Sequence, residues 1–245
     1  MKRTTFLLLC SMFAYFYLEA QIKDPKATEV WEPEPRVVTP GATASAAPSD
    51  AIILFDGNNL DEWSNDDGAA AGWKVADGAM TVVKGTGIVK TKRNFGSVQL
   101  HIEWRSPAEV VSEGQGRGNS GVFLNGIYEV QVLDSYNNRT YSNGQAAAIY
   151  KQSMPLVNAC KPPGEWQTYD IIYMQPKFNK DGIKVQSGTL TVIQNGILVQ
   201  NNTEIKGTTP YIGLPQNPAH EDGPLILQDH GNPVSYRNIW VREID

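Results

Sequence analysis

Glu129, Gln131 and Asp134 are the residues of this 245-residue chain whose types and spacing are best suited to moving a proton. They close the stretch Gly118-Asn-Ser-Gly-Val-Phe-Leu-Asn-Gly-Ile-Tyr-Glu-Val-Gln-Val-Leu-Asp134, in which two short extended runs meet at Asn125-Gly126, a strong hairpin signal. Side chains alternate with period two in the second run, so Glu129 and Gln131 share one face and Val130 and Val132 the other. A bulge between Leu133 and Asp134 would turn Asp134 to the face of Glu129 and Gln131. The resulting row of carboxylate, amide and carboxylate suits general acid-base work on a bound ligand. The plain alternative is a solvated sheet face.

Other polar groups sit where strands would carry them. In Leu100-His-Ile-Glu-Trp-Arg-Ser106, alternation puts His101, Glu103 and Arg105 on one face, which is expected to neighbour the polar face of 127–134. Asn119 precedes the first hairpin run, and Gln228 ends an alternating run that leads into Asp229-His230-Gly231. His230 is one of three histidines, a residue type that serves as a structural hydrogen-bonder or as a proton carrier near neutral pH. Cys160 lies beside Lys161-Pro162-Pro163 in what reads as a loop and is taken as a packed thiol.

The elements that must position these groups are strands. From Ile52 onward, runs rich in Val, Ile, Tyr, Phe and Trp are broken by Gly, Asn, Asp and Pro, and no window of helical length carries a period of 3.6. Strands are expected near 52–56, 73–76, 79–84, 87–91, 95–106, 119–125, 127–134, 145–150, 166–175, 188–194, 197–200, 211–215, 224–229 and 235–243. Asp77-Gly78, Asn125-Gly126, Asn143-Gly144, Asp181-Gly182 and Asn195-Gly196 are turn dipeptides. The count and spacing predict an all-β jelly-roll sandwich of two antiparallel sheets with a concave polar face.

The chain ends set the context. Residues 1–20 start basic at Lys2-Arg3, continue apolar from Phe6 to Leu18 and end small at Ala20, the pattern of an export signal, so a periplasmic or secreted protein is expected. The apolar run is too short to span a bilayer, and the mature chain is expected to have no transmembrane segment. Cys10 follows Leu7-Leu8-Leu9 without the small residue that lipoprotein processing prefers, which argues against a lipid anchor. Residues 21–50, rich in Pro, Ala, Thr and Glu, read as a flexible arm, and 51–245 as one domain. With the signal removed Cys160 stands alone, so stability must come from the core and not from a disulfide. The net charge of −5, with no cluster of Lys and Arg, speaks against a nucleic-acid partner.

Two resemblances bear on activity. Glu129-Val-Gln-Val-Leu-Asp134 is similar to the Glu-x-Asp-x-x-Glu strand of bacterial β-glucanases of the laminarinase and lichenase class, but the central Asp is Gln and the last Glu is Asp. Retaining hydrolysis needs two carboxyls ~5–5.5 Å apart, and the shorter side chain reduces the reach. A wider resemblance covers nearly all of 51–245. Leu54-Phe-Asp-Gly-Asn-Asn-Leu-Asp-Glu-Trp63, Gly118-Asn-Ser-Gly-Val-Phe123, Tyr128-Glu-Val-Gln-Val-Leu-Asp134, Gly164-Glu-Trp-Gln-Thr-Tyr-Asp170 and Gly223-Pro-Leu-Ile-Leu-Gln-Asp-His-Gly231 with Tyr236-Arg-Asn-Ile-Trp240 resemble the secreted bacterial 3-keto-disaccharide hydrolases.

That resemblance implies a concanavalin A-like sandwich acting on sugars oxidised at C3. A C3 ketone acidifies the C2 proton, so a base removes it, the C1 substituent leaves by elimination, and water adds to the enone. Glu129, Asp134 and His230 are the expected proton carriers, and Arg105, Asn119, Gln131 and Gln228 the expected holders of hydroxyls and the enolate oxygen. A divalent cation on His230 and a carboxylate is a further candidate electrophile that no spacing demands. Two other readings stay open: a conventional glycosidase, and a carbohydrate-binding module using Trp63, Trp73, Tyr136 and Tyr141.

Overall fold

The computed structural model describes residues 24–244, so the export-signal region lies outside the described residues. Residues from Val38 onward form one compact unit, and those up to Val37 a separate one whose described part is exposed chain with a short 3₁₀ turn at Pro25–Thr28. The expected arm of 21–50 therefore divides, its second part belonging to the sandwich. Ser45 explains why: its carbonyl accepts from Asn238 Nδ2 (2.9 Å) and Trp240 Nε1 (3.1 Å), while Asp50 takes a two-point bond from Arg242 at 2.7 and 2.8 Å.

Among the described residues fifteen strands follow in chain order. They are β1 (Ile52–Phe55), β2 (Trp63–Ser64), β3 (Lys74–Ala76), β4 (Ala79–Thr81), β5 (Val89–Phe95), β6 (Val98–Arg105), β7 (Ser120–Leu124) and β8 (Tyr128–Val132). The rest are β9 (Gln167–Met174), β10 (Lys177–Phe178), β11 (Lys184–Gln186), β12 (Thr189–Gln194), β13 (Ile197–Glu204), β14 (Gly223–Leu227) and β15 (Ser235–Glu243). One antiparallel sheet has the order β13-β12-β9-β6-β15-β4-β3, with β1 also on β15; the other has the order β2-β5-β14-β7-β8. The two pack as a jelly-roll sandwich, and β10-β11 is a separate small ribbon.

Three of the turn dipeptides make the tight hairpins β3-β4, β7-β8 and β12-β13. Both residues of Asp77-Gly78, Asn125-Gly126 and Asn195-Gly196 have positive φ, as the favoured two-residue hairpin turn demands. Asn143-Gly144 instead lies in a 3₁₀ turn with Asn143 at φ −84°. Residues 211–215 form bends and no strand, leaving Tyr211, Ile212 and Leu214 exposed. Residues 146–150 run beside the free edge of β8: Ala147 N donates to Gln131 O, Gln131 N to Ala148 O and Tyr150 N to Glu129 O.

The core is the layer between the sheets. Leu100, Ile102 and Trp104 of β6 and Tyr169, Ile171 and Tyr173 of β9 face Val122 and Leu124 of β7, Tyr128, Val130 and Val132 of β8, and Leu225 and Leu227 of β14, all buried. Each fully buried side chain of this size contributes about 1.5–3 kcal/mol. The Tyr169 hydroxyl crosses the sandwich and donates to the backbone carbonyl of Gln131 at 2.8 Å, which fixes β8 against the opposite sheet.

Candidate functional site on the outer face of the five-stranded sheet

Register decides what stands beside Glu129. Across β14-β7-β8 one row reads Ile226, Phe123, Glu129, and the next reads Gln228, Gly121, Gln131, with Gln228 N bonded to Gly121 O. Alternation turns these side chains away from the core. The Glu129 carboxyl folds back over Gly121: a Cβ built there would lie 2.5 Å from Glu129 Oε1 and 2.8 Å from Phe123 Cε2. Glycine is thus required at 121 for space, since its φ is ordinary. Gln131 and Gln228 flank the carboxyl, and the amide oxygen of each is buried without a hydrogen-bond partner among the described residues.

The β8 edge supplies a second wall. Val130 bridges Ile149 in antiparallel fashion, which sets Tyr150 opposite Glu129 with both side chains on the same face. The Tyr150 hydroxyl bonds that of Tyr141 at 2.7 Å. The Lys151 ammonium stands 5.6 Å from the Tyr141 ring, 5.9 Å from Tyr150 and 4.4 Å from Tyr211, and it donates to the Tyr211 carbonyl. Thr209 closes the edge by accepting from Glu129 N and donating to Ile127 O.

Electrostatics separate Glu129 from every other carboxylate of the sandwich. It is 5 % exposed and accepts no hydrogen bond from a described residue, and burial alone pushes its pKa to about 8. Burial also raises the Tyr141 and Tyr150 phenols, so both remain neutral hydroxyl donors. The arrangement is a desolvated carboxyl facing two hydroxyls, with two unpartnered amide oxygens at its sides. It can take a proton from a carbon acid and donate a hydrogen bond to an oxyanion.

The other sequence candidates fall elsewhere. Asp134 is buried beyond the end of β8, with Leu133 in the core beside it; its carboxylate is bonded by Arg117 Nε at 2.6 Å and Tyr136 N at 3.1 Å. That occupation gives Asp134 a structural task at the mouth of the hairpin. Asn119 is held by Asn232 Oδ1 through its backbone N–H, and its side-chain amide donates to Gln115 O. Gln115 in turn accepts from the Gln131 amide at 3.0 Å. His230 is exposed and has no hydrogen bond or ion pair to a described residue.

His230 likewise has no ready second ligand for the candidate cation among the described residues. Its neighbour Asp229 already accepts from the backbone N–H groups of Gly85, Gly87 and Gly231, and no group of three His, Cys, Asp or Glu among the described residues is gathered to hold an ion. The donor set does not fit a metal at that position. Cys160 is half-buried, with Gln194 Nε2 at 3.2 Å from its sulfur and burial raising its thiol, as a packed thiol should be.

Arg105 lies on the other sheet. Its strand β6 pairs with β9 and β15, so the face of His101, Glu103 and Arg105 points away from Glu129, and the Arg105 guanidinium stacks 4.7 Å from the Trp166 ring. Trp63 and Trp73 are buried core residues, while Tyr136 and Tyr141 are half-exposed. Sequence reasoning missed Tyr150 and Lys151 because they follow a segment without strand continuity. The signal that could have found them was the expected extended run 145–150 directly after the Glu129 strand.

Comparison with known proteins agrees with this architecture. Residues 50–242 match the model of the 3-keto-α-glucoside-1,2-lyase-like domain. A 3-keto-disaccharide hydrolase of Bacteroides thetaiotaomicron is 25% identical over 248 residues, spanning 79% of this chain and 78% of the relative. A crystal structure from Parabacteroides distasonis, of a protein provisionally named a glycosyl hydrolase, is 54% identical and covers 90% of this chain and 97% of its own, with a TM-score of 0.86. A second structure from that organism, similarly named, shares the fold at 21% identity, a TM-score of 0.57, and coverage of 80% of this chain and 94% of its own. With 193 of its residues (50–242) matched in a single span that contains every element of the Glu129 site, the chain belongs to the 3-keto-α-glucoside-1,2-lyase-like family.

Proposed function

We propose that this carbohydrate-active protein cleaves 3-keto-glycosides by elimination and hydration, with Glu129 as the proton-transfer group. The observation that carries the reading is the Glu129 carboxyl, buried over Gly121 without a partner and titrating near 8. Family membership and the names of the relatives support a carbohydrate substrate.

Glu129 as carboxylate takes the C2 proton, whose electron pair becomes the enolate of the C3 ketone. One proton of the Tyr141–Tyr150 pair is held in their mutual bond and the other supplies the hydrogen bond that the enolate oxygen needs, in place of the Arg105 expected from sequence. The enolate collapses, the C1–O bond breaks, and the leaving oxygen takes a proton from solvent water. Water then adds at C1 of the enone and gives its second proton to solvent, while C2 regains from Glu129 the proton it lost. Gln131 and Gln228 line the buried flank of the carboxyl, where their unpartnered amide oxygens stand out of solvent reach. A conventional retaining mechanism lacks its second carboxyl, because Asp134 is committed to Arg117. The basic and then apolar N-terminus supports action outside the cytoplasm.

The test is incubation of the pure protein with a 3-keto-glucoside and with its unoxidised parent. The keto sugar alone is expected to be cleaved, with exchange of deuterium from solvent at C2 of recovered substrate. Equal cleavage of both sugars, or of neither, overturns the proposal.

A further inference from the structure

The row that holds Glu129 does not end at Ile226. Ile226 pairs with Lys90 of β5, and Lys90 with Ser64 of β2, so one line across the open face reads Glu129, Phe123, Ile226, Lys90, Ser64. At ~4.8 Å per strand, Lys90 stands about 14 Å from Glu129, enough for a group about two rings long beyond the reacting sugar. Phe123 and Ile226 are partly exposed, and with Pro224 they give this line an apolar floor.

At its far end is a cavity of about 430 Å³ lined by Ser64, Gly68, Lys90, Thr91, Lys92, Asn94 and Pro224. A bulge makes it: Pro224 pairs with Asn94 but Ile226 with Lys90, so β5 carries two more residues than β14 over this interval. Thr91 Oγ1 fills the gap in the ladder by accepting from Leu225 N at 3.0 Å, and Lys90, Thr91, Lys92 and Asn94 are left to line the cavity. The lining includes two lysines and no acidic residue. Lys90 leans on Asp66, donating to its carbonyl with the carboxylate at 3.7 Å, whereas Lys92 has no ion pair with a described residue.

We infer that this cavity is the outer end of a leaving-group subsite, and that the preferred leaving group is an elongated, flat body bearing an anionic group about two rings from the scissile oxygen. The inference rests on Glu129 being the reacting carboxyl. The apolar floor takes the body of the leaving group, and Lys92, seconded by Lys90, takes the anion.

Two 3-keto-glucosides that differ only at the far end test it: one of 4′-hydroxybiphenyl-4-carboxylate and one of the corresponding carboxamide. At low salt the carboxylate is expected to show a KM about threefold lower, the size of an exposed charge pair, and the difference should vanish at high salt. In the double variant Lys90→Gln, Lys92→Gln the KM ratio should collapse to about 1. Equal KM values in the wild type, or a preference that survives in the variant, would overturn the inference. Calorimetric titration of the free biphenyl acid and amide asks the same question without turnover. If neither glucoside is cleaved but the acid still binds more tightly in a lysine-dependent way, the catalytic reading fails and the subsite stands; equal binding of acid and amide defeats the subsite by itself.

Discussion

The two outer faces of the sandwich carry almost the same sequence pattern and opposite physics. On β6, Glu103 sits in a completed network: Arg237 Nε donates at 2.7 Å, Asn238 Nδ2 at 2.9 Å, and His101 Nε2 stands 3.8 Å away. The nearby His101 imidazolium, against the pull of burial and with hydrogen bonds from Asn238 and Arg237, holds Glu103 at about 2. His101 is drawn down by burial, but its bond to Asp170 (2.7 Å) and the nearby Glu103 carboxylate prevail and raise it to about 9. On β8, Glu129 has none of this, and its pKa moves the other way, to about 8. Alternating polar residues therefore announce an outer face, while in the mechanism proposed above it is the missing partner that marks the place of chemistry.

The comparison breaks most sharply at the carboxyls themselves. Glu129→Gln should lower kcat/KM for a 3-keto-glucoside by the ~10²–10⁴-fold typical of a general base, with circular dichroism unchanged. In the wild type, kcat/KM should rise with pH through about 8, because the base must be ionised. A profile that falls through that pH would make Glu129 the acid. Wild-type rates in the Glu129 variant would remove it from the mechanism.

Next comes the residue under the carboxyl. Gly121→Ala places a methyl group 2.5 Å from Glu129 Oε1, so the carboxyl and the Phe123 ring must move. A displacement of about 1 Å at a reacting group can cost about 10²-fold, and kcat should fall without a matching rise in KM. Retained activity would mean that the carboxyl does not work from its place over Gly121.

Stability separates the faces by the sign of their pH dependence. Glu129 holds its proton more tightly folded than unfolded, so from its ordinary 4.5 up to about 8 the folded state loses stability as pH rises. Glu103 contributes stability that is full above 4.5 and disappears as pH falls toward about 2; His101 contributes below 6.5 and loses it as pH rises through about 9. Urea unfolding at pH 5 and 8 should show Glu129→Gln gaining on the wild type as pH rises. Glu103→Gln should be destabilised by about 1–3 kcal/mol at pH 7, the scale of hydrogen bonds to a charged group. The opposite order would show that the two carboxyls had been assigned the wrong roles.

This contrast also marks what the sequence could disclose. Local chemistry was readable: Asn125-Gly126 closes the β7-β8 hairpin, and period two puts Glu129 and Gln131 on one face. Pairing between distant segments was not. Nothing in Leu100–Ser106 tells that β6 enters the sheet opposite β8, because polar alternation is the same on either outer face. Asp134 looks like a catalyst until Arg117, on the chain entering the hairpin, is seen to occupy it. Tyr141 and Tyr150 come from irregular chain with no period to read, and the value of Gly121 lies in a contact made by another strand.

Arg105 gives the smallest expected effect and the finest test of the comparison. From sequence it is a candidate for the enolate oxygen; in the fold it stacks on Trp166, whose other neighbour is Arg237 at 4.1 Å. Arg105→Ala removes a partly exposed cation–π contact worth about 0.5–1 kcal/mol of stability, on the far side of the core from Glu129. Values of kcat and KM for the keto sugar should therefore stay within about twofold of the wild type, since no reacting atom is in its reach. A large rise in KM would place the sugar on the His101–Glu103 face and transfer the chemistry to the completed network, contrary to the rule that the unpartnered carboxyl is the working one.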